Sequence, residues 1–245
     1  MALRDLLKGP RSIVRAAGFD VVRYLPPAVG AADARRLAAI RRGMVKTVLD
    51  VGAAGGDFGR KLRASGYGGD IVSFEPLAAS FHALKAAAAD DGQWRIIQSA
   101  VGDCEATAEI NISGTAVSSS LLPMEPLHVE TIPASKYEGR ESVRIRPLDA
   151  LVGELPDPLR RGPFYLKIDV QGYESPVLDG ARETLTRVAA IEMEMSLRAL
   201  YRGATLFRDM LARLEGLGFT LVSWEDVLTE RETGFVLQAD CIFVI

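Results

Sequence analysis

TVLDVGAAGGDFG, residues 47–59, decides the fold. Its first five residues form a short apolar run, TVLDV, which reads as a buried strand. Gly52, Gly55 and Gly56 follow, and then a helical pattern with Asp57 as its natural N-cap and Gly66 as its stop. Glycines make such a turn tight and let a ligand approach the backbone closely. A strand, a glycine turn and a helix in that order form the opening unit of a ligand-binding α/β sheet.

Outward from this unit, apolar runs near 47–51, 70–74, 94–100, 164–170 and 189–195 alternate with helical patterns over 57–66, 77–89, 174–187 and 205–217. Pro176 suits the first turn of the third of these helices, and Glu174 favours its N-terminus electrostatically. That rhythm predicts a doubly wound, mostly parallel Rossmann-like sheet. FTLVSWEDVL and ADCIFVI, separated by a turn-rich segment, predict an antiparallel C-terminal hairpin. ATAEINI and SVRIRPL flank a long irregular segment, so an insertion loop is expected near 113–141, of the kind that usually carries function. The domain reading is a helical cap over 1–42 and one domain over 43–245.

The chain has 245 residues, 48% of them hydrophobic, enough for a sizeable core. A net charge of −3 gives no basic field, and no nucleic-acid partner is expected. Residues 1–46 carry ten Lys or Arg against three Asp, a balance of +7 that leaves −10 for the rest. LRDLLKGPRSIVRAAGFDVVRYL, within that basic stretch, is amphipathic and cationic. It reads either as a cap over the sheet with a solvated charged face or as a weak peripheral contact with an anionic inner membrane surface. Cys104 and Cys241 suit neither a disulfide framework nor a zinc site. With no apolar run of membrane-spanning length and no signal-peptide core, a soluble cytoplasmic protein is expected.

Glu75 ends the second strand 19 residues after Gly56, where an acid can accept hydrogen bonds from both hydroxyls of a ribose. A nicotinamide dinucleotide would want glycine at position 54 and no acid at position 50, whereas the chain has Ala54 and Asp50. A nearby carboxylate favours a cationic ligand, and S-adenosylmethionine carries a sulfonium and an ammonium. Asp103, in SAVGD past the third strand, is placed to meet an adenine amino group.

LDVGAAGGDFGRKLR, IVSFEP, SAVGD, SSSLL and LKIDVQGYESPVLDGA followed by IEMEMS resemble, in order and spacing, the FkbM-family methyltransferases over residues 43–245. The resemblance implies an S-adenosylmethionine-dependent O-methyltransferase, often acting on hydroxyls of sugars or polyketides. Ala54 stands where members commonly have Asn, which removes a polar contact to the cofactor. The candidate cofactor-binding set is Asp50, Gly52, Ala53, Gly56, Phe58, Glu75, Pro76, Ser99, Asp103 and Asp169.

Lys167 and Asp169 lie two apart on one strand, Glu192 and Glu194 two apart on the next, so each pair shares a face. Charges there are out of place for strands covered on both sides. A structural ion pair is expected between Lys167 and Glu192, with Asp169 and Glu194 nearer the catalytic edge. Asp169 either takes the acceptor's proton or binds a divalent cation such as Mg²⁺, helped by Glu194 or Gln171. His128, in the long loop, is a third candidate base. Ser118, Ser119, Ser120, Gln171 and Tyr201 are the candidate acceptor-binding residues. The reading is O-methylation of a sugar hydroxyl in a glycan, glycolipid or glycosylated metabolite. Its alternatives are a nicotinamide-dependent oxidoreductase and a non-catalytic cofactor-binding module.

Overall fold

The computed structural model describes residues 32–245. The basic amphipathic stretch, and with it most of the expected helical cap, lies outside the described residues. In chain order the elements begin α1 (Ala32–Arg42), β1 (Thr47–Val51), α2 (Asp57–Ala64), β2 (Asp70–Phe74), α3 (Ala78–Ala87), β3 (Trp94–Ile97), β4 (Ala100–Gly102), β5 (Ala106–Ser113), α4 (Pro126–Thr131) and β6 (Tyr137–Pro147). They continue with α5 (Leu148–Gly153), β7 (Phe164–Ile168), α6 (Glu174–Asp179), α7 (Arg182–Leu185), β8 (Val188–Ser196), α8 (Phe207–Gly216), β9 (Thr220–Thr229) and β10 (Val236–Val244).

The main sheet has the order β3-β2-β1-β7-β8-β10-β9. All neighbours from β3 to β8 run parallel, and β10 runs antiparallel to both β8 and β9. This is the doubly wound sheet and terminal hairpin that the apolar runs predict. Strand order reverses between β1 and β7, and ligands of such sheets sit at the carboxyl ends of the strands flanking that point. β1 and β7 are buried along their whole length because side chains of both faces enter a core. Leu49, Val51, Leu166 and Ile168 pack on one face with Val177, Leu178 and Met210, while Val48 and Tyr165 pack on the other with Ile40, Leu62 and Leu84. Among the described residues no helix is long and apolar enough to cross a membrane.

Three expectations change. The run 94–100 is not one strand: β3 ends at Ile97, and β4 leaves the main sheet to pair with β6 in a second sheet of order β4-β6-β5. ATAEINI and SVRIRPL are the antiparallel partners β5 and β6, so the irregular part narrows to residues 114–136 and itself contains α4. The helix over 174–187 is two short helices broken at Gly180, where a Cβ would lie 1.9 Å from the Gly102 carbonyl oxygen. In addition, Gly56 at φ 87° is the N-cap of α2, and Asp57 is its first residue, bonded to Arg60.

Candidate functional site

Gly52 leaves β1 at φ 82°, and a Cβ there would sit 1.8 Å from the Asp169 carbonyl oxygen. Only glycine permits the ends of β1 and β7 to approach so closely. Two residues on, Ala54 adopts φ 45°, which turns its N–H to Glu75 Oε2 at 2.8 Å. Glu75 Oε1 accepts from the Leu77 N–H at 2.9 Å. Each carboxylate oxygen therefore retains capacity for a further donor. Burial pushes the Glu75 carboxyl up to about 7, opposed by those two backbone bonds. A cleft of about 590 Å³, including its mouth, opens here. Gly52, Ala54, Glu75, Pro76, Ser99 and Asp169 line it, together with the apolar side chains of Phe74, Leu77, Val101 and Leu121. Acceptors for ribose hydroxyls beside an apolar wall for a flat base fit an adenosyl group.

At the neighbouring edge, Asp169 Oδ2 accepts from Lys167 Nζ at 3.0 Å, and Asp169 Oδ1 accepts from Gln171 Nε2 at 2.7 Å. The same Gln171 nitrogen donates to Glu194 Oε2 at 2.9 Å, and Gln238 Nε2 donates to that oxygen at 2.8 Å. Gln171 holds an unusual backbone, φ 55°, secured by Ser120 Oγ donating to its carbonyl at 2.6 Å and by the Tyr201 hydroxyl donating to its Oε1 at 2.7 Å. Burial would lower the Lys167 ammonium, but Asp169 and Asp50 outweigh it and raise it. Glu194 is pushed well above the carboxylate range by burial and then by Asp169 and Asp240. Glu174 closes the turn after β7, its Oε1 accepting from the Gly172 and Val170 N–H groups, and burial raises it to about 7.

The expected pair of Lys167 with Glu192 is replaced by two others. Lys167 bonds Asp169 on its own strand, and Glu192 is taken by Arg36 of α1, whose Nε and Nη2 donate to its two oxygens at 2.6 and 2.5 Å. The Tyr165 hydroxyl completes that group. Phe58 lies between the two cations, its ring 5.0 Å from Arg36 and 5.4 Å from Lys167. Arg36 reaches Glu192 across 156 residues, which no local spacing announces.

Most of the other candidates fall outside the cleft. Asp50 is fully buried beneath it, with Oδ2 accepting from Ser73 Oγ. Ala53 and Gly56 are packing positions of the loop; a Cβ on Gly56 would press on Leu84. Asp103 follows β4 out of the main sheet and joins Asp149, Asp179 and Arg182 on the surface. His128 is buried in α4, edge-on to Tyr201 at 5.0 Å, and burial lowers its pKa. Ser118, Ser120 and Tyr201 are buried and hold Gln171 and its surroundings, whereas Ser119 and Gln171 line the cleft. Gln238 and Asp240 were not anticipated, although polar residues two apart inside an apolar strand were a readable signal. Among the described residues, no three His, Cys, Asp or Glu side chains are placed so that they could hold a metal ion together.

The sequence profile of the methyltransferase FkbM domain matches residues 50–221, well over half of the chain. The chain belongs to that family. This FkbM-domain protein is an S-adenosylmethionine-dependent methyltransferase, and the nicotinamide alternative is set aside. No curated protein matches its sequence significantly. Similar solved structures include a precorrin-6y C5,15-methyltransferase from Geobacter metallireducens, 11% identical over 91% of this chain and 93% of that one, TM-score 0.44. Another is Aeropyrum pernix fibrillarin with natively bound S-adenosyl-L-methionine, 12% identical over 85% of this chain and 74% of that one, TM-score 0.45.

Proposed function

We propose that this methyltransferase acts on oxygen, at a hydroxyl of a sugar in a glycan, glycolipid or glycosylated metabolite, with Asp169 as the group that orients the hydroxyl and removes its proton. The observation that carries this reading is the position of Asp169: it lines the same cleft as Glu75, and its carboxylate is bonded to Lys167 and Gln171. Bound S-adenosylmethionine supplies a methyl carbon activated by its sulfonium. Gly52, Ala54, Glu75, Pro76 and Ser99 are the residues that would hold it. Lys167 donates to one oxygen of Asp169 and fixes the side chain, and a carboxylate within hydrogen-bond reach both aligns the acceptor oxygen and accepts its proton. The carboxylates and carboxamides at this edge suit an uncharged, hydroxyl-rich acceptor better than an anionic one. A weak contact of the basic N-terminus with an anionic membrane surface would bring a lipid-linked glycan within reach.

Incubation with labelled S-adenosylmethionine and a panel of glycans tests the reading, with Asp169→Asn as the decisive variant. It keeps shape and removes charge. Turnover on a hydroxyl acceptor should fall by about 10²-fold or more while S-adenosylhomocysteine binding is preserved. Near-normal turnover removes Asp169 from the chemistry, and methylation of a nitrogen or carbon acceptor alone overturns the choice of oxygen.

A further inference from the structure

Glu194 Oε2 accepts from two carboxamides, Gln171 and Gln238, which hold the side chain from opposite strands of its surroundings, β7's exit turn and β10. Its other oxygen, Oε1, has no hydrogen-bond partner among the described residues, and the side chain is only partly covered. Asp169 and Glu194 are donated to by the same Gln171 nitrogen, each within 3 Å, so the two carboxyl groups work side by side. We propose, building on the acceptor reading above, that Glu194 is a specificity-determining residue whose Oε1–H donates a hydrogen bond to the acceptor oxygen neighbouring the hydroxyl to be methylated. The acceptor class is then a vicinal diol or its mono-ether, not an isolated alcohol.

The protonation follows from where charges stand. Asp240 faces Glu194 in register across β8 and β10, and Asp169 lies on the other side. Of the cations near these three carboxyl groups, Lys167 is bonded to Asp169 and Arg36 to Glu192. Like charges this close do not all ionise, and one proton stays. Burial, Asp169 and Asp240 all push Glu194 well above its ordinary range. Because Oε2 is occupied as an acceptor of two N–H bonds, the retained proton belongs on Oε1. The neighbouring carboxyl groups thus divide the work: Asp169, already taking bonds from Lys167 and Gln171, accepts, and Glu194 gives a hydrogen bond from its free oxygen.

Two measurements decide. Infrared difference spectroscopy of the whole protein at pH 7, wild type minus Glu194→Gln, should show a neutral carboxyl band; its absence overturns the proposal whatever the acceptor proves to be. With a methylated diol glycoside in hand, the analogue lacking the neighbouring oxygen should be used at least tenfold less well in kcat/KM, carried by KM, because a site built to bond that oxygen is left unpaired. Glu194→Gln, which retains a donor at the same place, should keep this discrimination, and Glu194→Ala should lose it while S-adenosylhomocysteine still binds. Equal use of both substrates by the wild type, or discrimination that survives in Glu194→Ala, refutes the role. Failure of every hydroxyl acceptor, with the carboxyl band present, counts against O-methylation alone.

Discussion

Ionisation of Glu75 should set the affinity for the nucleoside. Burial holds its carboxyl at about 7 in the free protein, against an ordinary value of 4.5. Ribose hydroxyls donate, and an ionised acceptor takes such bonds much better than a neutral one. If only the ionised form is competent, the observed dissociation constant is the intrinsic one divided by the ionised fraction. With a pKa near 7 that fraction is about one tenth at pH 6 and about nine tenths at pH 8, so binding should tighten about tenfold, or 1.4 kcal/mol, across the interval. Titration calorimetry with 5′-methylthioadenosine, which lacks the amino-acid moiety of the cofactor and its titrating ammonium, isolates this effect. Glu75→Gln should bind at all pH values no better than the wild type does at pH 6. A flat wild-type profile, or the same slope in Glu75→Gln, would show that the carboxylate does not hold the ribose.

Glu174, also raised to about 7, contributes stability that is complete below its unfolded value of 4.5 and is lost as pH rises through 7. Urea unfolding should therefore show wild type losing about 3 kcal/mol more than Glu174→Gln between pH 4.5 and pH 8; parallel curves would contradict this. Gly52→Ala combines a left-handed backbone with a Cβ overlapping the Asp169 carbonyl, and should cost at least about 2 kcal/mol in the same assay. Arg36→Met strands the buried Glu192 beside Tyr165 and should cost about 3 to 5 kcal/mol, most of it recovered in Arg36→Met/Glu192→Leu. A double variant no better than the single would mean that the guanidinium's packing on Phe58, not its charge, is what matters.

The central sheet was legible because β1, β2, β7 and β8 are buried along most of their length and so appear as largely apolar runs. Gly52 and Glu75 were legible for the same reason, since a turn glycine and a strand-end acid stand at fixed offsets from those runs. What the sequence hid depends on direction and distance. WRIIQSA reads as one strand, yet the chain turns after Ile97 and carries Asp103 away with β4. Period two put Lys167 with Asp169 and Glu192 with Glu194, but it could not show that Arg36, arriving from α1, takes Glu192 and leaves the ammonium to Asp169. His128 and Tyr201 sit in stretches whose residue types suit a pocket wall and a packed interior equally, and only the packing of residues 114–136 on the sheet edge buries them.

The near-contact of Gly52 with Asp169 leaves no room for a hinge. The loop that shapes the nucleoside cleft and the carboxylate proposed to take the proton are bolted together through adjacent parallel strands, the Asp169 N–H also donating to the Val51 carbonyl. The distance between that loop and Asp169 is thus a property of the sheet. Selectivity has to be written elsewhere, in the segment 114–136 and in β8 and β10, which reach the same rim by their own routes. An enzyme arranged this way diversifies by exchanging its rim: new acceptors come from new loops, and each inherits the transfer step intact.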